Sequence, residues 1–167
     1  MFFIQSAQPE LRTSPPQGDA WIHEVKFDGW RVQLHKEGRS VAIYTKNGHR
    51  CAHKLELIAA AITHLPARSC IIDCELTACD EYGLPNFHAL NIHNDRSERC
   101  IWAVDLLYLD GADLREHPLS YRKRQLEKLV LKVRDHQTGD ALTKASSRKE
   151  SSFKVMLRMR LHTFDAG

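Results

Sequence analysis

The segment Glu24-Val25-Lys26-Phe27-Asp28-Gly29-Trp30-Arg31 sets a lysine between two carboxylates, each two positions away, shortly before a glycine. A lysine amine is a nucleophile only when unprotonated. Neighbouring cations, a bound metal or burial lower its pKa, and nearby carboxylates oppose that shift. The K-x-D-G-x-R spacing therefore fits either a covalent nucleophile or a salt-bridge cluster at the end of a strand. Cys70, Cys74 and Cys79 lie close together in a chain with ten histidines, so a zinc site has to be weighed. There is no C-x-x-C pair, and Cys70 and Cys74 fall in a strand-like apolar run. Reduced thiols are the expectation. The odd total of five cysteines also argues against a disulfide framework.

The elements that must position these groups read as follows. Residues 1–19 form an extended lead-in punctuated by Pro15-Pro16 and Gly18. A strand over 20–28 would end at Gly29, with Ile22, Glu24, Lys26 and Asp28 on one side. Residues 31–35 and 40–45 read as a hairpin around Lys36-Glu37-Gly38-Arg39, and Asn47-Gly48 is a turn. Leu55, Ile58, Ala61, Ile62 and Leu65 have helical spacing within 53–65, with Pro66 directly after. Residues 70–78 alternate as a strand, Ile72, Cys74 and Leu76 against Asp73, Glu75 and Thr77. A turn over 80–83 and a helical turn over 86–91 follow. Residues 100–109 predict a buried strand whose one charge is Asp105, closed by Asp110-Gly111. Ser120 would cap a helix to about Arg134, with Tyr121, Leu126, Leu129, Val130 and Val133 as its apolar stripe. Such an order predicts an α+β domain, a mixed sheet with helices packed on it.

With 167 residues, 43% hydrophobic and 27% charged, the chain has room for one globular domain. No run approaches the roughly 18 apolar residues of a membrane span. The apolar start Met1-Phe2-Phe3-Ile4 is short and lacks a basic flank, so neither a signal peptide nor a location other than the cytoplasm is expected. The net charge of +3 is compatible with nucleic acid. Over 121–134, Arg122, Lys123, Arg124, Lys128, Lys132 and Arg134 face only Glu127, which makes either a solvated helix face or a phosphate-contacting one.

The K-x-D-G-x-R segment resembles motif I of the covalent nucleotidyltransferases, the ATP-dependent DNA ligases, RNA ligases and capping enzymes. Three more segments follow in that family's order. Thr45-Lys46-Asn47-Gly48 resembles the next motif, Ile72-Asp73-Cys74-Glu75-Leu76 the D-G-E strand, and the run from Trp102 to Gly111 the F-D-L-L-x-L-D-G strand. The last, with Gly83-Leu84-Pro85-Asn86-Phe87, resembles bacterial DNA ligases of the end-joining type. The resemblance spans about Phe3 to Val130. It implies antiparallel sheets flanked by helices and forming a nucleotide cleft, with 20–134 as a partial adenylation domain. Lys26 would take AMP from ATP, with Mg²⁺ bridging phosphate oxygens, for sealing nicked or broken duplex DNA in repair and recombination. A DNA-end-binding protein is an implied partner. Glu24 would read the adenine amino group, Val25 and Val104 would flank the nucleotide, and Arg31 and Lys46 would approach the phosphates. Glu75 would bind ribose hydroxyls or the metal. Asp28, Gly29, Asp73 and Asp105 would support the site.

Several positions depart from the family pattern. Lys46 stands where an arginine is usual and lacks the bidentate fork. Cys74 replaces a glycine, adding bulk that would lie beside the nucleotide. Val104 replaces the phenylalanine that stacks on the base, at a cost of roughly 1–3 kcal/mol by analogy with base–aromatic stacking. After Val130 there is no E-G-(I/V)-V segment, no K-x-K pair and no OB-fold domain. Residues 135–167 read as a divergent tail, with disorder, truncation or a frameshift among the explanations. Three functions follow: a ligase adenylation domain, a catalytically degenerate remnant that binds nucleotide or DNA weakly, and an RNA ligase or capping-type enzyme. The D-L-L-Y-L-D-G wording counts against the last.

Overall fold

The computed structural model describes residues 2–18, 20–51, 55–79, 85–91 and 98–134. Strands β1 (Trp30–Glu37), β2 (Ser40–Thr45), β3 (Ser69–Cys79), β4 (Glu98–Leu109) and β5 (Ala112–Asp113) form one sheet in the order β2-β1-β3-β4-β5. Every pairing among the described residues is antiparallel, as the family resemblance implies. Tight turns account for two of these pairings: consecutive strands joined by two residues can only run in opposite directions. Gly38, with φ 58°, turns β1 into β2, and Asp110 and Gly111, with φ 47° and 102°, turn β4 into β5. Asp-Gly with both φ positive is the twist-matched hairpin turn.

Helices α1 (Glu56–Thr63), α2 (Phe87–Asn91) and α3 (Leu119–Arg134) contribute to one core. Ile58 and Ile62 of α1, Ala89 and Leu90 of α2, and Leu126, Leu129 and Val130 of α3 pack with Val32, Leu34, Ile72, Cys74, Leu76 and Leu106 of the sheet. The period-two pattern of β3 is the expected one: Ile72, Cys74 and Leu76 enter this core, and Asp73, Glu75 and Thr77 occupy the other face. The Cys74 side chain therefore adds bulk to the core, on the face opposite Glu75, and not beside a nucleotide as the resemblance implied.

Three boundaries also change. Residues 20–28 form no strand; β1 begins at Trp30. Within that segment the Glu24 side chain is tied to α3 and the Phe27 ring is stacked on β4. Helix α3 begins at Leu119, so Ser120 lies in its first turn and does not cap it. The Pro118 carbonyl starts the helix, accepting from the N–H of Tyr121 at 2.9 Å and of Arg122 at 3.2 Å. Helix α1 is shorter than 53–65, ending in tight turns at His64 and Leu65, and His53 lies outside the described residues. So do the expected turn over 80–83 and the tail 135–167.

The lead-in is extended, yet it is packed. Ile4 and Ser6 are buried against the polar face of β1, and Gln33 donates to the Ile4 carbonyl at 2.5 Å. Phe3 lies against Gly48, in the turn after β2.

Candidate active site

Lys26 sits on an irregular loop whose backbone is held at three points. The first is Glu24, whose Oε1 accepts from Nζ of Lys123 on α3. The second is Phe27, stacked on Trp102 of β4 with ring centroids 4.2 Å apart and planes 9° from parallel. Trp102 is itself fixed by its indole N–H, which donates to Oγ1 of Thr77 at 2.8 Å. The third is Gly29, packed on β3 so closely that a Cβ would lie 2.3 Å from the Leu76 carbonyl oxygen. Its N–H donates to Glu75. Between these anchors the side chains of Val25, Lys26 and Asp28 are exposed.

The polar face of the sheet beneath the loop carries a row of charges. Arg31 of β1 grips Asp73 of β3, with Nη2 at 2.5 Å from Oδ2 and Nε at 3.2 Å from both oxygens. Its Nη1 donates to the Ala7 carbonyl at 2.9 Å. Arg122 of α3 grips Asp105 of β4 in the same forked manner, at 2.9 and 2.8 Å. Asp73 and Asp105 are opposite each other in the β3–β4 ladder. Two facing carboxylates are thus bracketed by two guanidinium groups, and each arginine is held more firmly charged by its carboxylate partner. Forked arginine–carboxylate pairs combine charge with fixed geometry.

A register shift makes this row possible. Asp73 pairs with Asp105 and Cys74 with Ala103, which leaves Val104 as the extra residue of a β-bulge. Strict alternation would set Asp105 on the same side as Ala103, in the core; the bulge restores it to the side of Asp73. Val104 is left 38% exposed.

Glu75 lies next to this row, opposite Arg31 on β1 and Trp102 on β4. Burial pushes its pKa up, while the Gly29 N–H and the charges of Arg31 and Lys26 pull it back. Lys26 and Glu75 are therefore close enough for their charges to interact. Among the described residues, no three His, Cys, Asp or Glu side chains gather as a metal site. Unlike Asp73 and Asp105, Glu75 is gripped by no arginine fork among the described residues.

The geometry brings together Lys26, Gly29, Arg31, Asp73, Glu75 and Asp105. Lys46 stands apart, exposed in the turn after β2, one strand further from Glu75. A cavity of about 650 Å³ between the lead-in and Trp21-Ile22-His23 is lined by none of these residues. Sequence reasoning missed Lys123, which is 1% exposed. Its place on the stripe of Leu126 and Val130 was the available signal. The Phe27–Trp102 stack had none, because the two rings are distant in sequence.

The family profile described as ATP dependent DNA ligase domain matches residues 5–163. The chain is 35% identical over 128 residues to the multifunctional non-homologous end joining protein LigD of Pseudomonas aeruginosa, covering 73% of this chain and 15% of that protein. It is 31% identical over 137 residues to a DNA ligase of monkeypox virus, covering 76% of this chain and 24% of the relative. The chain thus spans less than a quarter of the length of either. A solved mycobacterial DNA ligase D complexed with ATP and MES superposes with a TM-score of 0.59 at 25% identity, covering 65% of this chain and 36% of that one. With the profile running almost end to end and the sheet shared with a solved ligase, the chain belongs to the ATP-dependent DNA ligase domain family.

Proposed function

We propose that this domain carries out the nucleotidyl-transfer step of an ATP-dependent DNA ligase, with Lys26 accepting AMP. The observation that carries the reading is an exposed lysine on a loop held at three points, packed through Gly29 against the strand of Glu75. A deprotonated Nζ attacks the α-phosphorus of ATP. The N–P bond forms, the bond from that phosphorus to its bridging oxygen breaks, and pyrophosphate leaves. The AMP then passes to a 5′-phosphate at a nick or break in duplex DNA, where the 3′-hydroxyl displaces it. Positioning and charge neutralisation are the protein's share of such chemistry.

In this reading Glu24 accepts from the adenine amino group, and Val25 and Val104 flank the nucleotide. Lys46 and Arg31 serve the phosphates; to take one, the Arg31 fork must exchange Asp73 for the ligand. Asp28, Gly29, Asp73 and Asp105 shape the site. Magnesium is commonly held by one or two carboxylates together with substrate phosphates. Glu75, ungripped by any arginine, fits that role, and the ion would supply charge neutralisation on the phosphates. Arg124 and Lys128 are exposed on α3 and suit DNA phosphates. A DNA-end-binding protein is the partner suggested by the end-joining relative, and the cytoplasm is the compartment.

Incubation with α-labelled ATP and Mg²⁺ tests the reading. We expect acid-labile label on the wild type and none on Lys26→Ala. No label on either, where a full-length relative reacts, leaves a non-catalytic domain that binds nucleotide or DNA. The Arg31 fork on Asp73 and the missing ring at Val104 are the observations that favour that second reading. Label from α-labelled GTP in place of ATP would point instead to capping-type chemistry.

A further inference from the structure

Lysine is almost never fully buried unless it is paired. Lys123 is 1% exposed, and its carboxylate partner is Glu24, far away in sequence on the nucleophile's own loop. The Glu24 side chain is 34% exposed. The pair is thus closed at its ammonium end and open at its carboxylate end, two residues before Lys26. A solvated glutamate on an irregular loop would sample many rotamers; this one has a single oxygen, Oε1, tethered by a buried cation.

We propose that Lys123 is a positioning residue for nucleobase selection: from α3 it fixes the Glu24 carboxylate as an acceptor that favours a 6-aminopurine over a 6-oxopurine. The inference rests on the nucleotide reading above and adds a residue and a specificity to it. A carboxylate can accept but not donate. Held in place, it bonds an exocyclic amine and repels a carbonyl oxygen at the same position. A site built around one such group rejects the analogue lacking the donor far more strongly than a site that merely encloses it. Without the tether, Glu24 turns into solvent, and both the attraction and the repulsion weaken.

The test is equilibrium binding of ATP and of inosine triphosphate, without Mg²⁺ so that no transfer occurs, by calorimetry on the full chain. Inosine differs from adenosine by a carbonyl in place of the amine. The wild type should bind ATP more tightly, and Lys123→Met should lower the ATP-to-inosine preference by about tenfold, the scale of one hydrogen bond to a charged group. In a Glu24→Gln background the same change should add nothing, because Lys123 acts through Glu24. Methionine is close to the lysine stem in volume, and Lys123→Gln gives the same comparison if the Met variant is unfolded. A purely structural Lys123 would weaken both nucleotides equally. An unchanged preference in Lys123→Met, a loss that persists without Glu24, or a wild type that binds both nucleotides equally overturns the inference alone. A wild type that binds neither removes the nucleotide reading itself.

Discussion

A methyl group added at Gly29 would lie 2.3 Å from the Leu76 carbonyl oxygen and within 3.1 Å of Thr77 and Glu75 side-chain carbons. The nearest obstacle is backbone, which cannot swing aside as a long side chain can. The loop must therefore lift off β3, taking the Gly29 N–H away from Glu75 and shifting Lys26. Gly29→Ala should cost about 1–3 kcal/mol of stability, the range for forced overpacking, and should abolish lysyl-AMP formation. Urea unfolding and acid-labile labelling read the two effects separately; an unchanged labelling rate would show that the close approach has no part in placing the amine. Val104 gives the opposite expectation. It is 38% exposed at the bulge, so a ring there meets space on its outer side. Val104→Phe should tighten ATP binding by about tenfold, within the range of base–aromatic stacking. Calorimetry that gave unchanged or weaker affinity would remove the stacking argument.

At the scale of elements, α3 is attached to the sheet by apolar packing and by the Arg122–Asp105 fork. The two side chains are only 17% and 15% exposed. Removing Arg122 alone leaves Asp105 facing Asp73 across the ladder, with Arg31 as the single guanidinium for two carboxylates. Arg122→Met should therefore cost about 1–3 kcal/mol, between the values for exposed and for buried pairs. Adding Asp105→Asn should recover part of that loss, because the stranded charge goes with it. If the double variant were less stable than Arg122→Met, repulsion between the facing carboxylates would not be the cause. The hairpin of β1 and β2, the strand of Glu75 and the strand of Asp105 were all legible, since alternation and turn residues are local signals. The bulge at Val104 was not, because one inserted residue changes the facing of a strand without changing its composition. The segment around Lys26 alternates like a strand, yet its partners Lys123, Trp102 and Glu75 lie on three elements that periodicity cannot bring together. Lys123 counted as one more cation on a basic helix, although its place on the stripe of Leu126 and Val130, and the burial that follows from it, separate it from Arg124 beside it.

At the scale of the whole molecule, the lead-in closes the polar face of β1 through a small network with a titratable member. Gln33, 1% exposed, accepts the Ile4 N–H at 3.3 Å and donates to the Ile4 carbonyl at 2.5 Å. His35, 5% exposed, lies 3.2 Å from the same Gln33 oxygen through Nε2, and its buried Nδ1 has no hydrogen-bond partner among the described residues. The neutral ring satisfies this arrangement by donating from Nε2. A protonated ring would carry a second N–H with no acceptor, in a site that water reaches poorly. Burial accordingly holds the His35 pKa down to about 4, from an ordinary value of 6.5. Because the folded value is depressed, the unfolded chain binds the proton first. His35 thus costs no stability above pH 6.5, and stability is lost as the pH falls from 6.5 towards 4. At pH 4.5 the loss amounts to about 2.5 kcal/mol by linkage. Glu75 works against it: its folded pKa is raised, so its contribution is lost as pH rises through its titration. Urea unfolding at pH 7.5 and 4.5 should show the wild type weakened, and His35→Gln, which keeps a donor for Gln33 and cannot titrate, should be weakened by about 2.5 kcal/mol less. An equal weakening in the two proteins would mean that the strap over β1 is closed whatever the charge on His35.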